Sequence, residues 1–182
     1  ALQTARRLRP NATWGFYNML GDHSAAIDAV TLAVMPIWLE SQAIFPSLYM
    51  DTEYNDTKEA RLIRARVNAS VQIATKVGLR LNAPAPPVIP FVMQMKDSSQ
   101  AGPLPLLSPA EIEAEFFVPY DLGATGVIVF NGNLTADAAY WEHTKTVLGP
   151  AVRAFLDEVE ACSVTHCNGK GRCVPRNSTT CV

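Results

Sequence analysis

The sequence predicts an α/β fold in which parallel strands alternate with helices. Each of four apolar runs with strand character is followed by a stretch of helical character. The four runs are Trp14–Tyr17, Pro46–Met50, Val88–Met93 and Val127–Phe130. Spacings of roughly thirty to forty residues leave room for one helix in each connection, which places helices outside a parallel sheet. Four such units amount to part of a TIM-like (β/α) barrel. A small doubly wound fold is the alternative, although the sequence has no glycine-rich phosphate loop.

The helix after the second strand carries the clearest signals. Asp56 and Glu59 have the spacing of a capping box, and Gly78 predicts the end of the helix. Its predicted apolar face consists of Ile63, Val67, Val71, Ala74 and Val77. Arg61, Arg64, Asn68 and Gln72 form the opposite, polar face. This division is typical of a helix that packs one side on a sheet.

Two later helices complete the predicted units. Ser108-Pro109 opens the first with a capping serine and a proline at the first helical position. The second runs from Thr135 to about Ala161, with a break expected at Gly149-Pro150. The predicted domains are therefore an α/β unit over residues 1–161 and a cysteine-containing segment over residues 162–182.

Composition excludes several classes of function. The 182 residues are 48% hydrophobic and 18% charged, which describes a globular chain. A formal net charge of −2 gives no indication of a nucleic-acid partner. The longest apolar run, Ala29–Leu39, is too short to span a bilayer and contains Pro36, so we expect no transmembrane segment.

Sequons and clustered cysteines indicate the secretory route. The Asn-x-Ser/Thr pattern occurs at Asn11, Asn55, Asn68, Asn133 and Asn177. The four cysteines are Cys162, Cys167, Cys173 and Cys181, all close to the end of the chain. Together these features predict a glycosylated protein of the extracellular space or the lysosome, with a small disulfide-stapled segment. Zinc is the competing interpretation of the cysteines, but paired C-x-x-C knuckles are absent, so we expect neither a metal nor another cofactor.

Several stretches resemble, in order, the C-terminal half of the hyaluronidase catalytic barrel. They are Arg9-Pro10, Trp14–Tyr17, Ser41–Met50, Val88–Val92, Gly123–Phe130 and Leu148-Gly149-Pro150. The spacing Cys162-x₄-Cys167-x₅-Cys173 is similar to the EGF-like module that follows this barrel in animal members of the family. The resemblance implies pairing of Cys162 with Cys173 and of Cys167 with Cys181.

The resemblance also implies an activity. Hyaluronidases hydrolyse hyaluronan, and often chondroitin, by a substrate-assisted mechanism in which an Asp-x-Glu pair serves the substrate's acetamido group. In the family this pair lies on an earlier strand than those matched here. The only Asp-x-Glu in this sequence, Asp51-Thr52-Glu53, is interpreted as a loop beside the sequon at Asn55. We therefore expect no catalytic acid in this chain and a missing N-terminal half of the barrel as its partner.

Four positions match residues that line the family's sugar cleft. By this resemblance Tyr17, Tyr49, Asp97 and Phe130 are the candidate substrate-binding residues, with Tyr49 matching the tyrosine that contacts the acetamido group.

Phe130 stands where the family carries tryptophan, Phe91 stands where many members have tyrosine, and Gly132 and Asn133 also depart from the family pattern. These departures leave open a non-catalytic glycan-binding or adhesion protein on the same scaffold. A self-contained small α/β domain is a third possibility.

Overall fold

The computed structural model describes residues 1–18, 27–52, 56–96, 105–130 and 138–182. Its helices are α1 (Leu2–Leu8), α2 (Ile27–Glu40), α3 (Asp56–Leu81), α4 (Pro109–Ile112), α5 (Val118–Asp121), α6 (Ala138–His143) and α7 (Gly149–Cys167). Its strands are β1 (Phe91–Val92) and β2 (Ile128–Val129). One π-helical turn, Glu113–Phe117, joins α4 to α5, and another, Thr144–Leu148, joins α6 to α7. Among the described helices, none combines the length and apolarity that crossing a bilayer requires.

Four parallel extended segments lie side by side. β1 and β2 pair in parallel, with Phe91 opposite Ile128 and Val92 opposite Val129. Single parallel bridges add the two earlier segments by joining Tyr17 to Phe45, Ile44 to Val88 and Ser47 to Phe91. The segments are thus neighbours in the order in which they occur along the chain. A (β/α) barrel has this order, whereas a doubly wound sheet reverses it, so the predicted parallel α/β arrangement is confirmed and the doubly wound alternative is not supported.

The two outer segments are less buried than the sequence predicts. Val127–Phe130 is a continuous apolar run of the kind found in buried parallel strands, yet Val129 and Phe130 are each 47% exposed. The expectation of a buried strand is wrong here because β2 has a paired neighbour on one side only, among the residues that the structure describes. In the other outer segment, which is the first along the chain, Phe16 and Tyr17 are also exposed.

Helix α3 packs on the sheet through its predicted apolar face. Ile63, Val67 and Val77 are almost completely buried, and the polar face is exposed. The predicted end at Gly78 is wrong, because the helix continues to Leu81 and is followed by Asn82 in the left-handed region (φ 47°). Gly78 has a different reason to be glycine, since a Cβ there would lie 2.9 Å from both Ala83 O and Ala85 N.

The last helix is longer and more continuous than predicted. The break expected at Gly149-Pro150 is wrong, since the chain stays helical from Ala138 through a π-helical turn into α7. The π-helical turn ends at Leu148, two residues before Pro150, whose nitrogen has no hydrogen to donate to a regular helical bond. Because α7 extends to Cys167, a boundary at residue 161 falls inside a helix.

Two disulfides fold the chain end back onto α7. They join Cys162 to Cys173 and Cys167 to Cys181, which is the pairing that the resemblance implies. The sulfur atoms of Cys167, Cys173 and Cys181 lie within 4.8 Å of one another, but both disulfides already use the thiols that zinc would need. The zinc interpretation is therefore not supported.

Two arginines attach this disulfide segment to the α/β unit. The Arg172 guanidinium donates hydrogen bonds to the carbonyl oxygens of Ala124 (2.6 Å) and Gly123 (3.2 Å), in the turn between α5 and β2. Arg176 forms an ion pair with Glu113, and its backbone N–H donates to Asp121 at 2.9 Å. These contacts make the segment part of the packed structure that leads into β2.

Gly15 provides a test of the packing between the first two segments. A Cβ at this position would lie 2.3 Å from the carbonyl oxygen of Ala43 and 2.9 Å from the Phe45 ring. We expect Gly15→Ala to lower the free energy of unfolding of the full-length protein by about 1–3 kcal/mol, measured by denaturant titration. Gly126→Ala is the control, because no atom lies within 4 Å of its added Cβ. Equal effects of the two substitutions would contradict the close approach at Gly15.

Arg172 provides a test of the attachment of the disulfide segment. Arg172→Ala removes two charged hydrogen bonds to carbonyl oxygens, so we expect a loss of about 1.5–3 kcal/mol in the free energy of unfolding. Arg153→Ala is the control, because Arg153 makes an exposed pair with Asp157 one helical turn away, worth about 0.3–0.5 kcal/mol. If the two substitutions lower the free energy of unfolding by the same amount, Arg172 does not anchor the disulfide segment.

Candidate functional site

The carboxyl ends of the four parallel segments lie at one edge of the sheet, where catalytic and binding residues of (β/α) barrels occur. Tyr17 ends the first segment, and the Asn18 N–H donates to Phe45 O (2.9 Å). Tyr49 follows Ser47 in the second segment, whose bridge to Phe91 fixes its register. Phe130 follows β2, and its N–H donates to Val92 O (2.8 Å). Parallel pairing thus brings residues distant in sequence to one edge.

The side chains at this edge form an aromatic row. The Tyr17 and Tyr49 ring centroids are 6.4 Å apart, and the Tyr49 and Phe130 rings stack at 6.1 Å with an interplanar angle of 22°. We call Tyr17, Tyr49 and Phe130 the aromatic row. Tyr17 and Phe130 are each 47% exposed and Tyr49 is half-buried, so faces of the two outer rings remain open to solvent. The structure therefore brings three of the four predicted cleft residues together, and Asp97 lies outside the described residues.

Phe91 supports the row from β1. Its ring meets Tyr17 edge-to-face at 5.0 Å and Phe45 at 6.0 Å. The sequence identified Phe91 only as a departure from a family tyrosine and did not identify its packing role. The parallel bridge between Ser47 and Phe91 decides that role, and no local sequence signal gives this register.

Three buried carboxyl groups lie behind the ends of the strands. We call Glu59, Glu111 and Glu115 the acid group, and each is at least 93% buried. Oε1 of Glu115 accepts a hydrogen bond of 2.7 Å from the Met93 N–H, just beyond β1. Oε1 of Glu59 accepts a hydrogen bond of 3.2 Å from the Asp51 N–H, and the predicted capping box of Asp56 and Glu59 stays a prediction, because residues 53–55 lie outside the described residues.

The pKa values of the three carboxyl groups in the acid group shift in different directions because their surroundings differ. Burial raises the pKa of Glu115 well above its usual range, and burial also raises the pKa of Glu59. Burial acts in the same direction on Glu111, but hydrogen bonds from Lys96 and Ser108 outweigh it, so the pKa of Glu111 is lowered. The sequence did not identify this group. A carboxylate within an apolar stretch of a helix could have indicated the acid group, as at Glu115, which lies two residues before Phe117.

The remaining predicted residues have these positions. Asp51 is half-buried beside Glu59, and Glu53 lies outside the described residues, so the Asp51-Thr52-Glu53 interpretation stays a prediction. The sequon residues Asn11, Asn68 and Asn177 are exposed. Asn55 and Asn133 lie outside the described residues, as does Gly132.

The chain is similar to known proteins over almost its whole length. The family model described as hyaluronidase matches residues 1–181. Human hyaluronidase-1 is 30% identical over 97% of this chain, and pig hyaluronidase-1 is 28% identical over 98%. The chain spans 43% and 44% of the lengths of those two relatives, which is less than half of each.

A solved structure shares the fold. Bee venom hyaluronidase, in complex with a hyaluronic acid tetramer, superposes on 83% of this chain with a TM-score of 0.66 at 23% identity. This chain covers 49% of the bee protein. The likeness agrees with the consecutive parallel order of the four segments. The family match over residues 1–181 identifies the chain as a member of the hyaluronidase family.

Proposed function

We propose that this chain is the C-terminal part of the catalytic barrel of a hyaluronidase-type glycosidase that hydrolyses hyaluronan or chondroitin. The observation that carries the proposal is the aromatic row at the carboxyl edge of the sheet, in a chain that belongs to the hyaluronidase family. Support for the substrate class comes from the bee venom relative, which was solved with a hyaluronic acid tetramer.

The aromatic row offers the kinds of side-chain group that bind sugars. Tyr17 and Phe130 offer apolar ring faces on which pyranose rings pack, and Tyr49 offers a hydroxyl between them. In a substrate-assisted reaction the acetamido oxygen attacks the anomeric carbon, and positive charge develops on the resulting oxazolinium ring. We assign to the Tyr49 phenol the role of stabilising that charge, and Asp97 completes the proposed set of binding residues.

The proton donor is assigned to a part of the protein outside this chain. The chain covers less than half of its relatives, and the described sheet leaves Phe16 and Val129, which are not part of the aromatic row, exposed on its two outer segments. An N-terminal half of the barrel that pairs with these segments would cover them and supply the Asp-x-Glu pair. Residues 1–161 would then be a barrel portion, and residues 162–182 would form an EGF-like disulfide segment.

The proposed compartment is the extracellular space or the lysosome. Three sequon asparagines, Asn11, Asn68 and Asn177, are exposed and accessible to glycosylation. Both disulfides are of the kind that persists in oxidising compartments.

A second candidate is a non-catalytic glycan-binding or adhesion protein. Phe91 and Phe130 favour it, because they retain ring faces for stacking but lack polar groups that could take part in bond cleavage.

The two candidate functions are distinguished by a hydrolysis assay on the full-length protein with hyaluronan and chondroitin, combined with a measurement of oligosaccharide binding. Binding without hydrolysis favours the second candidate. Absence of both binding and hydrolysis contradicts the proposal that the aromatic row binds a glycan.

Tyr49→Phe tests the role of the hydroxyl. We expect kcat on hyaluronan to fall by about 10²-fold in the full-length protein, because a group that stabilises developing charge is lost while the ring remains. The control is Tyr120→Phe, which removes a hydroxyl from α5 beside Arg172 and outside the aromatic row. A Tyr49→Phe enzyme as active as the control contradicts the proposed contact.

The isolated chain tests the assignment of the acid. We expect purified residues 1–182 to release no reducing ends from hyaluronan, because the chain supplies walls of the cleft without the proton donor. The measurement is a reducing-end assay, with bee venom hyaluronidase as the positive control. Turnover by the isolated chain would place the acid within it, and Glu53 would then be the first residue to substitute.

A further inference from the structure

Positive charge is concentrated on α3. Six of the fifteen lysine and arginine residues lie in this helix of 26 residues, whereas only two of the seventeen aspartate and glutamate residues do. The formal net charge of −2 therefore combines a basic helix with an acidic remainder of the chain. A local excess of positive charge attracts anionic ligands even when the whole protein is slightly acidic.

The fold places most of these cations on the outer side of α3, which faces away from the sheet. Five of the six are exposed, and together they form what we call the basic face. They are Lys58, Arg61, Arg64, Lys76 and Arg80. The sixth, Arg66, is partly buried, and its Nη1 lies 3.5 Å from the carbonyl oxygen of Ser47 in the second segment. Packing thus leaves five of the six positive charges facing solvent.

The basic face has no acidic counterpart among the described side chains of α3. Glu59 is the acid of this helix whose side chain the structure describes, and it is buried. Arg61, Arg64 and Arg80 form no ion pair with any residue that the structure describes. The positive charge of these three guanidinium groups is therefore available to a ligand.

Positive charges without acidic neighbours lower the stability of a helix. Arg61 and Arg64 stand three residues apart, so they are neighbours on the helix surface and repel each other. α7 shows the stabilising arrangement, in which Arg153 pairs with Asp157 one helical turn away. An anionic ligand bound along α3 would offset the repulsion, so the charge pattern indicates a negatively charged partner.

The basic face has the length and shape of a site for a linear ligand. A rise of 1.5 Å per residue gives about 33 Å along the axis from Lys58 to Arg80. At 3.6 residues per turn, Lys58 and Lys76 are about five turns apart and lie on one line along the helix. Asn68 and Gln72 are exposed between them. The strip therefore offers charged groups at its two ends and amide groups in its middle.

Two other classes of polyanion fit this strip less well. A basic amphipathic helix binds a lipid bilayer by inserting its apolar side, but the apolar side of α3 is already buried on the sheet through Ile63, Val67 and Val77. A nucleic acid is disfavoured by the proposed extracellular or lysosomal compartment. A glycosaminoglycan is a linear polyanion of that compartment, and its hydroxyl and acetamido groups suit side-chain amides.

We propose that the basic face binds a sulfated glycosaminoglycan at a second site, separate from the aromatic row. Arginine guanidinium groups form paired hydrogen bonds with carboxylate and phosphate oxygens, and sulfate groups present a similar cluster of oxygens. The amides of Asn68 and Gln72 supply partners for sugar hydroxyls between the charged ends. The site is independent of glycosidase activity, and only the choice of a polysaccharide over a nucleic acid rests on the proposed compartment.

Glycosylation has to be controlled in the test, because Asn68 begins a sequon and lies between the charged ends of the basic face. A glycan attached there would cover the strip. Binding is therefore measured on the full-length protein in an Asn68→Gln background, which removes the acceptor and retains a side-chain amide.

The probes are chondroitin sulfate oligosaccharides and the same oligosaccharides after chemical desulfation. We expect the protein to bind the sulfated form about tenfold more tightly at low salt, because sulfate adds charge that the basic face neutralises. Arg61→Gln/Arg64→Gln should remove most of this preference. It should also reduce the slope of log Kd against the logarithm of salt concentration by about two, one for each lost contact.

Arg7→Gln/Lys170→Gln is the matched control, since it removes two exposed positive charges outside α3 and gives the same net charge. It should retain both the preference for sulfate and the salt dependence. Equal losses in the two double variants, or equal affinity of the parent protein for the two probes, would overturn the proposal. Tighter binding to phosphatidylserine vesicles than to chondroitin sulfate would assign the basic face to a lipid surface and would also overturn it.

Kinetics separates this inference from the proposed function. If the protein hydrolyses glycans, Arg61→Gln/Arg64→Gln should cleave a short desulfated oligosaccharide at the parent rate, because the basic face lies outside the aromatic row. A loss of kcat in parallel with the loss of sulfate-dependent binding would overturn the assignment of a second site. If the protein hydrolyses no glycan, the proposed function fails, and sulfate-dependent binding alone decides whether the basic face is a site.

Discussion

The parallel backbone hydrogen bonds between the second segment and β1 are the interaction on which the rest of the structure depends. Ile44 and Leu48 donate to Pro87 and Phe91, while Ile89 and Phe91 donate back to Ile44 and Pro46, all at 2.8–2.9 Å. This ladder sets the register that brings Tyr49 and Phe91 to the same edge. A shift of one residue in either segment would turn the ring of that segment to the opposite face, so the site depends on backbone pairing before any side chain acts.

The helical layer adds polar contacts at the two ends of the sheet. At the carboxyl end, Glu115 reaches the Met93 amide from the π-helical turn. In the turn that leads into β2, Arg172 of the disulfide segment binds the carbonyl oxygens of Gly123 and Ala124. Both contacts act on backbone groups outside the paired strands, where amides and carbonyls need other hydrogen-bond partners. The same need for hydrogen-bond partners thus explains a buried acid at one end and an arginine at the other.

Much of the fold followed from local patterns, and the exceptions share a physical cause. The apolar face of α3 and the capping box at Ser108 were predicted because periodicity and capping act over a few residues. Gly78 was misinterpreted as a helix end and Gly149-Pro150 as a helix break, since glycine is also required where a backbone atom lies close, as Ala83 O does at Gly78. The exposure of Val129 was missed because burial depends on a neighbouring strand that a local pattern cannot show.

The sequence by itself determined the parallel α/β class, the hyaluronidase resemblance and the candidate residues Tyr17, Tyr49 and Phe130. These follow from alternation, residue order and residue identity, which are properties of the chain before it folds. Only the tertiary structure decided that the three rings form one row and that Phe91 supports it. It also decided that Glu115 is buried behind the row. Register and burial arise from contacts between residues far apart in sequence, so no local window of sequence contains them.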